Sequence, residues 1–463
     1  MLRIGCLDFP RELNPVYATT ETAQGIMNKV HLALFYFDPS GTISPELVDS
    51  ISWDEPQLTV SITLKKNIRF ANGAVLQSRD VQATIELLKD PKYEYPYLSD
   101  LNFMEQITIL DQLNFRIRLK GKFAPWKNYL TFKILSATDI HGRGPAAFRR
   151  HLPVGCGPYQ VEAVREPREI VLKENPHYQE KNSFKKIIYS VLGDPRQGPL
   201  KLLAEEMDAV EIQTDDVRSY KQLPEWRRRF GLVKYRKFGY TYLVFNLKNS
   251  SVDPSLRRLV YNCLQVSPFL QTFLQGAGET VHSPFLYLSA GVRSRRLPVS
   301  SPPRRRHLRI LANSESVLRK QLVLFLCEEM KRFNIELEPV FVEYQAFLKY
   351  LKKGNFDLAV SAFLLDMDWN LKDVLSSSGY FNYAGLADSK MDALLEAGLC
   401  EMDEKKRRQI YIKAHERWLH TLPFIPLFNL NYYMGVSRSL KVPADHFHTV
   451  GSTGDFFYNL QGW

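Results

Sequence analysis

The feature of this sequence that most constrains its fold is an alternation of strand and helix patterns between residues 308 and 365. Three apolar runs have the length of strands, and the two segments between them have apolar residues at helical spacing. In chain order these elements are 308–312, 314–333, 335–342, 344–353 and 356–365. A β-α-β-α-β order requires parallel strands joined by right-handed crossovers, so this part of the chain is predicted to have an α/β fold.

The residue after the third predicted strand is the first candidate for function. Ligands of open parallel sheets bind beyond the carboxyl ends of the strands, and that position is Asp366. A strand that ends in Asp366-x-Asp368 also begins the haloacid-dehalogenase phosphatase pattern, although that pattern needs Thr or Val where Asn370 stands. A further alternative is that Asp366 is the N-cap of a helix that starts after Trp369.

The first third of the chain is rich in strand patterns. Residues 106–110 and 115–119 alternate between apolar and polar side chains and are separated by turn-forming residues, as are 159–164 and 170–173. Each pair predicts a β-hairpin.

The net charge of +11 is concentrated in one segment. Residues 291–309 contain seven arginines and no acidic residue, so they account for seven of the eleven net charges. The segment is also rich in Ser and Pro, which predicts a solvated linker. A basic arm that binds an anionic surface is the alternative, and its binding would depend steeply on salt.

Several classes of protein are excluded by what the sequence lacks. No stretch approaches the roughly 18 uninterrupted apolar residues of a membrane-spanning helix. Five cysteines without a C-x-x-C pair argue against a zinc or thioredoxin-like site, and the G-x-S-x-G, P-loop and G-x-G-x-x-G motifs are absent. His415 and His420 are five residues apart, about 140° around a helix, so they do not share a metal. We therefore expect no catalytic residue, no metal and no cofactor.

Six stretches occur in a fixed order that covers nearly the whole chain. They are Leu-Asn-Pro at 13–15, the strand, turn and capped helix of 61–81, Pro-Val-Gly-Cys-Gly-Pro-Tyr at 153–159, Asn-Pro-His-Tyr at 175–178, Leu-Val-Phe-Asn at 243–246 followed by Asp253 and Arg257-Arg258, and Phe356-Asp357 followed by Asp366. Together they resemble the signatures of the family 5 extracellular solute-binding proteins. These are the oligopeptide- and dipeptide-binding receptors of bacterial ABC importers.

The resemblance implies a periplasmic-binding-protein-like type II α/β fold, with two lobes, a hinge and an extra strand-rich domain. The implied first lobe is discontinuous and comprises residues 1–37, 148–268 and 432–463. The strand-rich insertion would be 38–147, and the second lobe 269–431. The β-α-β-α-β pattern lies inside this second lobe.

The resemblance also implies a set of ligand-binding residues. In peptide-binding members, the strand before the aspartate adds the peptide as a further β-strand, and the aspartate pairs with the peptide's ammonium. Ala362, Phe363 and Leu364 would supply main-chain groups and Asp366 the charge. The implied pocket is lined by Tyr344, Tyr242, Phe363 and Asn246. A plain core role is the alternative for the aromatic residues.

Two departures from the family pattern leave the ligand open. The arginine-rich segment replaces the Ala-x-x-Leu-Leu helix of relatives. Leu351 and Val360 stand where some relatives place basic residues for the peptide carboxylate, and Lys352 is the nearby cation in that stretch. Nickel chelates, haem and glutathione are also ligands of this family.

The function implied is that of a non-enzymatic receptor that captures a short peptide, or a similar small solute, between two lobes. It would deliver the solute to the permease subunits of an ABC transporter. We expect a monomer that binds no nucleic acid and associates with membranes only through the permease or a lipid anchor. The expected location is the periplasm or the cell surface, after removal of an export signal.

Overall fold

The computed structural model describes residues 1–38, 41–286, 288, 296–299, 305–365, 367–442, 449–450, 456–457, 460 and 463. The chain divides into two compact units. The first unit contains residues 1–236 and 432–463, and the second contains residues 237–431. None of the helices in the described part is both long and apolar enough to cross a membrane.

The first unit contains most of the strands in the N-terminal half. In chain order its strands are β1 (Leu2–Cys6), β2 (Phe35–Phe37), β3 (Ile43–Pro45), β4 (Val48–Asp54), β5 (Thr59–Leu64), β6 (Met104–Ile109), β7 (Asn114–Leu119), β8 (Tyr159–Arg165), β9 (Glu169–Glu174), β10 (Lys186–Val191), β11 (Ala209–Ile212) and β12 (Phe230–Lys237). Its helices are α1 (Glu21–Val30), α2 (Ser78–Lys89), α3 (Ala137–Ile140), α4 (Pro145–Arg150), α5 (Gly198–Leu203), α6 (Val217–Gln222) and α7 (Pro224–Arg229).

These strands form two main sheets. In one, β1 runs parallel to β10 and β11, and β10, β9 and β8 follow as antiparallel neighbours. In the other, β4, β5, β7 and β6 are all antiparallel. The predicted hairpins are confirmed as β6–β7 and β8–β9. All four strands of the second sheet lie inside the predicted insertion at 38–147, and the boundaries of that domain stay a prediction.

The glycine-rich signature at 153–159 has a packing role in the first unit. A Cβ atom on Gly155 would lie 1.8 Å from the carbonyl oxygen of Val30, at the end of α1. The Gly157 N–H donates to the same oxygen at 2.8 Å. Only glycine allows this close approach of two backbones, so the signature joins a loop to a helix end.

The second unit holds the predicted β-α-β-α-β run and the helices that surround it. Its strands are β13 (Gly239–Phe245), β14 (Gly278–Thr280), β15 (Arg306–Asn313), β16 (Ile335–Val342), β17 (Leu358–Leu364) and β18 (Phe424–Ser437), and β18 continues into the first unit, which also holds β19 (Thr449–Val450). Its helices are α8 (Pro254–Cys263), α9 (Ser267–Phe273), α10 (Val317–Lys331), α11 (Tyr344–Lys353), α12 (Lys372–Leu375), α13 (Ser389–Cys400) and α14 (Glu404–Thr421).

The central sheet of the second unit has the order β16-β15-β17-β13-β18. β15 is parallel to both β16 and β17, which confirms the β-α-β-α-β prediction. β13 is antiparallel to β17 and β18. Buried side chains of α10, such as Leu322 and Leu326, belong to the same core as Ile310 of β15 and Val360 of β17.

The segment 237–268 belongs to a different unit from the one that the sequence predicted. The expectation placed it in the first lobe, whereas the contacts place it in the second unit. The physical reason is that β13 is hydrogen-bonded to β17 along its whole length, from Gly239 opposite Leu364 to Phe245 opposite Leu358. Leu256 of α8 also belongs to the core that contains Ile310.

The end of the arginine-rich segment also differs from its prediction as a linker. Arg306 and Arg309 lie in β15 and not in a solvated connection. Arg306 forms an ion pair with Asp253, and the Arg309 N–H donates to Asp357 Oδ2 at 2.7 Å. These bonds, with the pairing to β16, extend the strand beyond the apolar run that predicted it.

Candidate functional site

The second unit contains a topological switch point at β15. The chain leaves β15 for β16 on one side of the strand, and returns through α11 to β17 on the other side. The rule for open α/β sheets places ligands at such a point, beyond the carboxyl ends of the strands. β15 and β17 are paired only at Ile310–Leu358 and Leu311–Ala359, so these neighbours separate towards their carboxyl ends.

The carboxyl-terminal half of β17 therefore has an unpaired edge. From Val360 to Leu364 it pairs with β13 on one side, and no described strand pairs with the other. Ala362 is exposed, and Leu364 is 52% exposed. The unused N–H and C=O groups of a strand edge can pair with an added extended segment.

Aromatic side chains pack beside this edge. The Phe363 ring centroid lies 4.5 Å from that of Tyr242 and 5.0 Å from that of Tyr240. Burial raises the pKa of the Tyr242 phenol, so it is neutral and serves as a hydrogen-bonding and packing group. Gly239 allows the two strands to approach, because a Cβ there would lie 2.2 Å from the Phe363 carbonyl oxygen.

Tyr344 is at the start of α11, directly after β16, and is 43% exposed. Its backbone N–H faces Glu315 Oε1 at 3.4 Å. Burial lowers the pKa of the Arg319 guanidinium, and Tyr344 and Tyr242 partly offset this effect. The structure thus brings five of the predicted residues to the same end of the sheet: Ala362, Phe363, Leu364, Tyr242 and Tyr344.

Asn246 does not belong to this cluster. It lies at the opposite end of β17, roughly 20 Å from Leu364 at the usual rise of a strand. Its side-chain amide donates to the carbonyl oxygens of Gly354 at 2.9 Å and Phe356 at 2.8 Å. The side chain is 6% exposed and fastens the end of α11 to the start of β17.

Asp366 lies outside the described residues, but its neighbours are anchored. The Asp368 carboxylate accepts two bonds from the Arg407 guanidinium, at 2.8 and 2.6 Å, and both side chains are buried. The rings of Trp369 and Tyr411 flank the guanidinium at 5.8 and 5.2 Å. This bidentate pair fastens the segment that follows β17 to α14.

The same contacts bear on the two alternatives for the Asp-x-Asp sequence. A phosphatase would need the Asp368 carboxylate for its chemistry, whereas both of its oxygens are bound to Arg407. The next helix is α12, which begins at Lys372 with Leu371 in the N-cap position. The prediction of Asp366 as the N-cap of a helix after Trp369 is therefore wrong.

Arg319 is the residue of this region that the sequence reasoning missed. It lies half-buried in the first turn of α10, and its Nη1 donates to Asn313 Oδ1 at 2.8 Å. Burial lowers the pKa of its guanidinium. A signal was present, because a cation in the first turn of a helix is disfavoured by the helix dipole.

The described residues include no group of three or more His, Cys, Asp or Glu side chains placed to hold a metal ion. The polar groups at the switch point are main-chain groups, phenols, an amide and a guanidinium. Such groups can bind and orient a solute.

Comparison with known proteins gives the family. The family model described as "Bacterial extracellular solute-binding proteins, family 5 Middle" matches residues 42–294, which is more than half of the chain. The chain therefore belongs to this family. It is a solute-binding protein of the kind that serves ABC importers and not an enzyme, and the phosphatase alternative has no support.

Individual relatives agree over almost the whole length. The chain is 21% identical to the oligopeptide-binding protein AppA of Bacillus subtilis, covering 100% of this chain and 91% of AppA. It is 20% identical to the probable D,D-dipeptide-binding periplasmic protein DdpA of Escherichia coli, covering 95% and 90%. Among solved structures, NikZ of Campylobacter jejuni in complex with Ni(L-His) matches with a TM-score of 0.79 at 21% identity, covering 100% and 99%.

The structure of AppA in complex with a nonapeptide matches with a TM-score of 0.75 at 19% identity, covering 100% of this chain and 98% of AppA. At these identities the solved structures show the fold alone. They confirm the predicted periplasmic-binding-protein-like type II fold class.

Proposed function

We propose that this protein captures a short peptide, or a solute with peptide-like main-chain groups, and delivers it to the permease subunits of an ABC transporter. The observation that carries the proposal is the unpaired edge of β17 at the switch point, from Val360 to Leu364. A strand edge bonds to main-chain groups and is indifferent to side chains, so it suits a receptor for peptides of varied sequence.

Asp366 is the proposed partner of the peptide's N-terminal ammonium. It directly follows Leu365, whose N–H bonds to the Phe238 carbonyl oxygen at 2.8 Å. The Asp368–Arg407 pair holds the chain two residues further on. A carboxylate that follows the strand edge in the sequence would give the ammonium a charge-assisted hydrogen bond.

Tyr242, Tyr344 and Phe363 are proposed to give the bound peptide apolar surface beside the strand edge. The relatives are consistent with this proposal, since AppA is named as oligopeptide-binding and DdpA as dipeptide-binding. NikZ was solved with Ni(L-His), so a metal chelate is the second candidate ligand. Capture between two lobes, a monomeric state and a periplasmic or cell-surface location are parts of the same proposal.

Native mass spectrometry of the gently purified protein, followed by a denaturing run, tests the proposal. A ladder of short-peptide masses released on denaturation is the expected result. A single defined mass of a nickel chelate or another non-peptide solute would keep the solute-binding protein and overturn the peptide claim.

Replacement of Asp366 by Asn tests the proposed anchor, because it removes the charge and leaves nearly the same shape. We expect the affinity for free-amine peptides to fall by several kcal/mol, as for breaking a buried charge pair. Isothermal titration of free-amine and N-acetylated peptides measures this effect, and the variant should no longer distinguish the two forms.

The matched control for this experiment is Asp373→Asn, which changes an exposed carboxylate in the first turn of α12. Its affinities should equal those of the wild type. Unchanged affinity of the Asp366→Asn variant would remove Asp366 from the binding site.

A further inference from the structure

We infer that Arg319, held by Asn313 and placed beside Tyr344, binds a carboxylate of the solute. This inference rests on the proposed function and assigns a second charged contact at the switch point. It would define the ligand as a peptide that offers an anionic group to α10 while its main chain lies along β17.

The bonding of Arg319 is the first argument. A guanidinium has five N–H donors. The structure uses one of them, from Nη1 to the neutral Asn313 Oδ1. No carboxylate of the described residues lies within ion-pair distance of this side chain, although it is half-buried and its charge is permanent. The unused donors form a fork that matches the two oxygens of a carboxylate.

Position is the second argument. Asn313 is the last residue of β15, on the strand that separates from β17 beyond Leu311. Asn313 is itself buried, so it fixes the guanidinium at the carboxyl end of β15. Tyr242 packs on Phe363 beside the unpaired edge, and Tyr242 and Tyr344 both raise the pKa of the Arg319 guanidinium against the larger effect of burial.

The neighbouring charged groups are already engaged. Glu315 Oε1 faces the Tyr344 N–H, and the Glu343 carboxylate caps α11 through the N–H groups of Gln345 and Ala346. Lys352, the cation singled out from the sequence, donates to the Tyr380 hydroxyl at 2.6 Å. Arg319 is therefore better placed than Lys352 to meet an anion of the ligand.

The carboxylate has two sources in a peptide, the C-terminus and an acidic side chain. Three tetrapeptide libraries distinguish them: one without Asp or Glu and with a free C-terminus, the same library amidated, and an amidated library with one Glu. Binding of each library is measured by native mass spectrometry on the full chain. The proteins compared are the wild type, Arg319→Gln, Arg319→Lys and the control Arg332→Gln, which changes an exposed arginine at the end of the same helix.

We expect the wild type to bind one carboxylate-bearing library about tenfold to a hundredfold more tightly than the amidated library, as for a hydrogen-bonded charged group. The preferred library identifies the source. Arg319→Gln should lose this preference while it still binds the amidated peptides, Arg319→Lys should keep part of it, and Arg332→Gln should keep all of it.

Two results would overturn the inference alone. One is equal binding of all three libraries by the wild type, and the other is an unchanged preference in Arg319→Gln. Binding of none of the libraries would overturn the proposed peptide function, and the inference with it.

Discussion

Two arginines of the second unit show how differently a protein can treat a buried cation. Arg407 on α14 has a bidentate carboxylate partner in Asp368, a further bond from Nε to the Gly398 carbonyl oxygen at 2.8 Å, and two flanking aromatic rings. Arg319 on α10 has one neutral amide oxygen. The bond to Asp368 raises the pKa of Arg407 despite its burial, whereas burial lowers the pKa of Arg319.

The comparison shows that a buried charge that stabilises the fold and a buried charge that binds a ligand need opposite surroundings. A charge that is paired inside the fold holds two segments together, and its hydrogen-bond donors are not available to a ligand. A charge that is oriented but not neutralised costs stability in the free protein and gains a partner only on binding. Arg407 therefore stabilises the fold around the site, and Arg319 belongs to the proposed recognition surface.

His31 in the first unit is a third case, because it can give up its charge. Both of its ring nitrogens are buried and lack a hydrogen-bond partner in the described part of the chain. Burial, with a smaller effect from Lys133, lowers its pKa from 6.5 to about 3. A histidine can escape burial of a charge in this way, whereas an arginine cannot.

The largest predicted effect is that of removing the partner of Arg407. Asp368→Ala leaves a buried cation uncompensated, so we expect the free energy of unfolding to fall by about 3–5 kcal/mol. Urea denaturation followed by circular dichroism measures it. The control is Glu396→Ala, which breaks an exposed pair with Lys372 and should cost less than about 1 kcal/mol. Equal losses in the two variants would contradict the scaffold role of Arg407.

The next prediction concerns pH and His31. Between pH 6.5 and about 3 the unfolded chain binds a proton at this residue and the folded chain does not. Its contribution to stability is therefore complete above pH 6.5 and is lost as the pH falls towards 3, by a few kcal/mol.

The measurement for His31 is urea denaturation at several pH values for the wild type and His31→Gln. The unfolding free energy of the wild type minus that of the variant should fall steadily as the pH is lowered below 6.5. A pH-independent difference for His31→Gln would show that this histidine is not buried in its neutral form.

The smallest predicted effect is on the stability of the ligand-free protein when Arg319 is replaced. Arg319→Met removes a half-buried cation that has no acidic partner among the described residues, so the unfolding free energy should change by less than about 1 kcal/mol or rise. Arg407→Met, the matched variant, should lose about 3–5 kcal/mol because it leaves the buried Asp368 carboxylate without this cation. A large loss in Arg319→Met would make Arg319 a structural residue and remove the contrast between the two arginines.

The local periodicity of the sequence was sufficient to predict the β-α-β-α-β run of the second unit. The predicted strand 335–342 and helix 344–353 have the observed bounds, because apolar spacing and the glycine after the helix are local signals. Other bounds were less accurate where side-chain partners decide them. β15 begins at Arg306 because of Asp253, and α10 begins at Val317 because the Ser316 side chain accepts the Arg319 N–H.

Some residues of the candidate site were predicted and others were not, because side-chain partners in the folded chain decide their roles. Element order alone pointed to the residue after the third strand, Asp366. Ala362, Phe363 and Leu364 were named only through the resemblance to the family. Asn246 lies in an equally clear signature, but its side-chain amide donates to the Gly354 and Phe356 carbonyl oxygens and so has a structural role. Arg319 was missed because only the folded chain shows that none of the described carboxylates pairs with it.

The sequence by itself determined that this chain is an α/β solute-binding protein of family 5, because the order of its apolar runs and turn motifs is a one-dimensional property. Only the tertiary structure decided that β15 and β17 separate beyond Leu311, that Asp368 is bound by Arg407, and that no carboxylate in the described part of the chain pairs with Arg319. These facts depend on distances between residues far apart in the chain, and such distances are set by packing and not by local spacing.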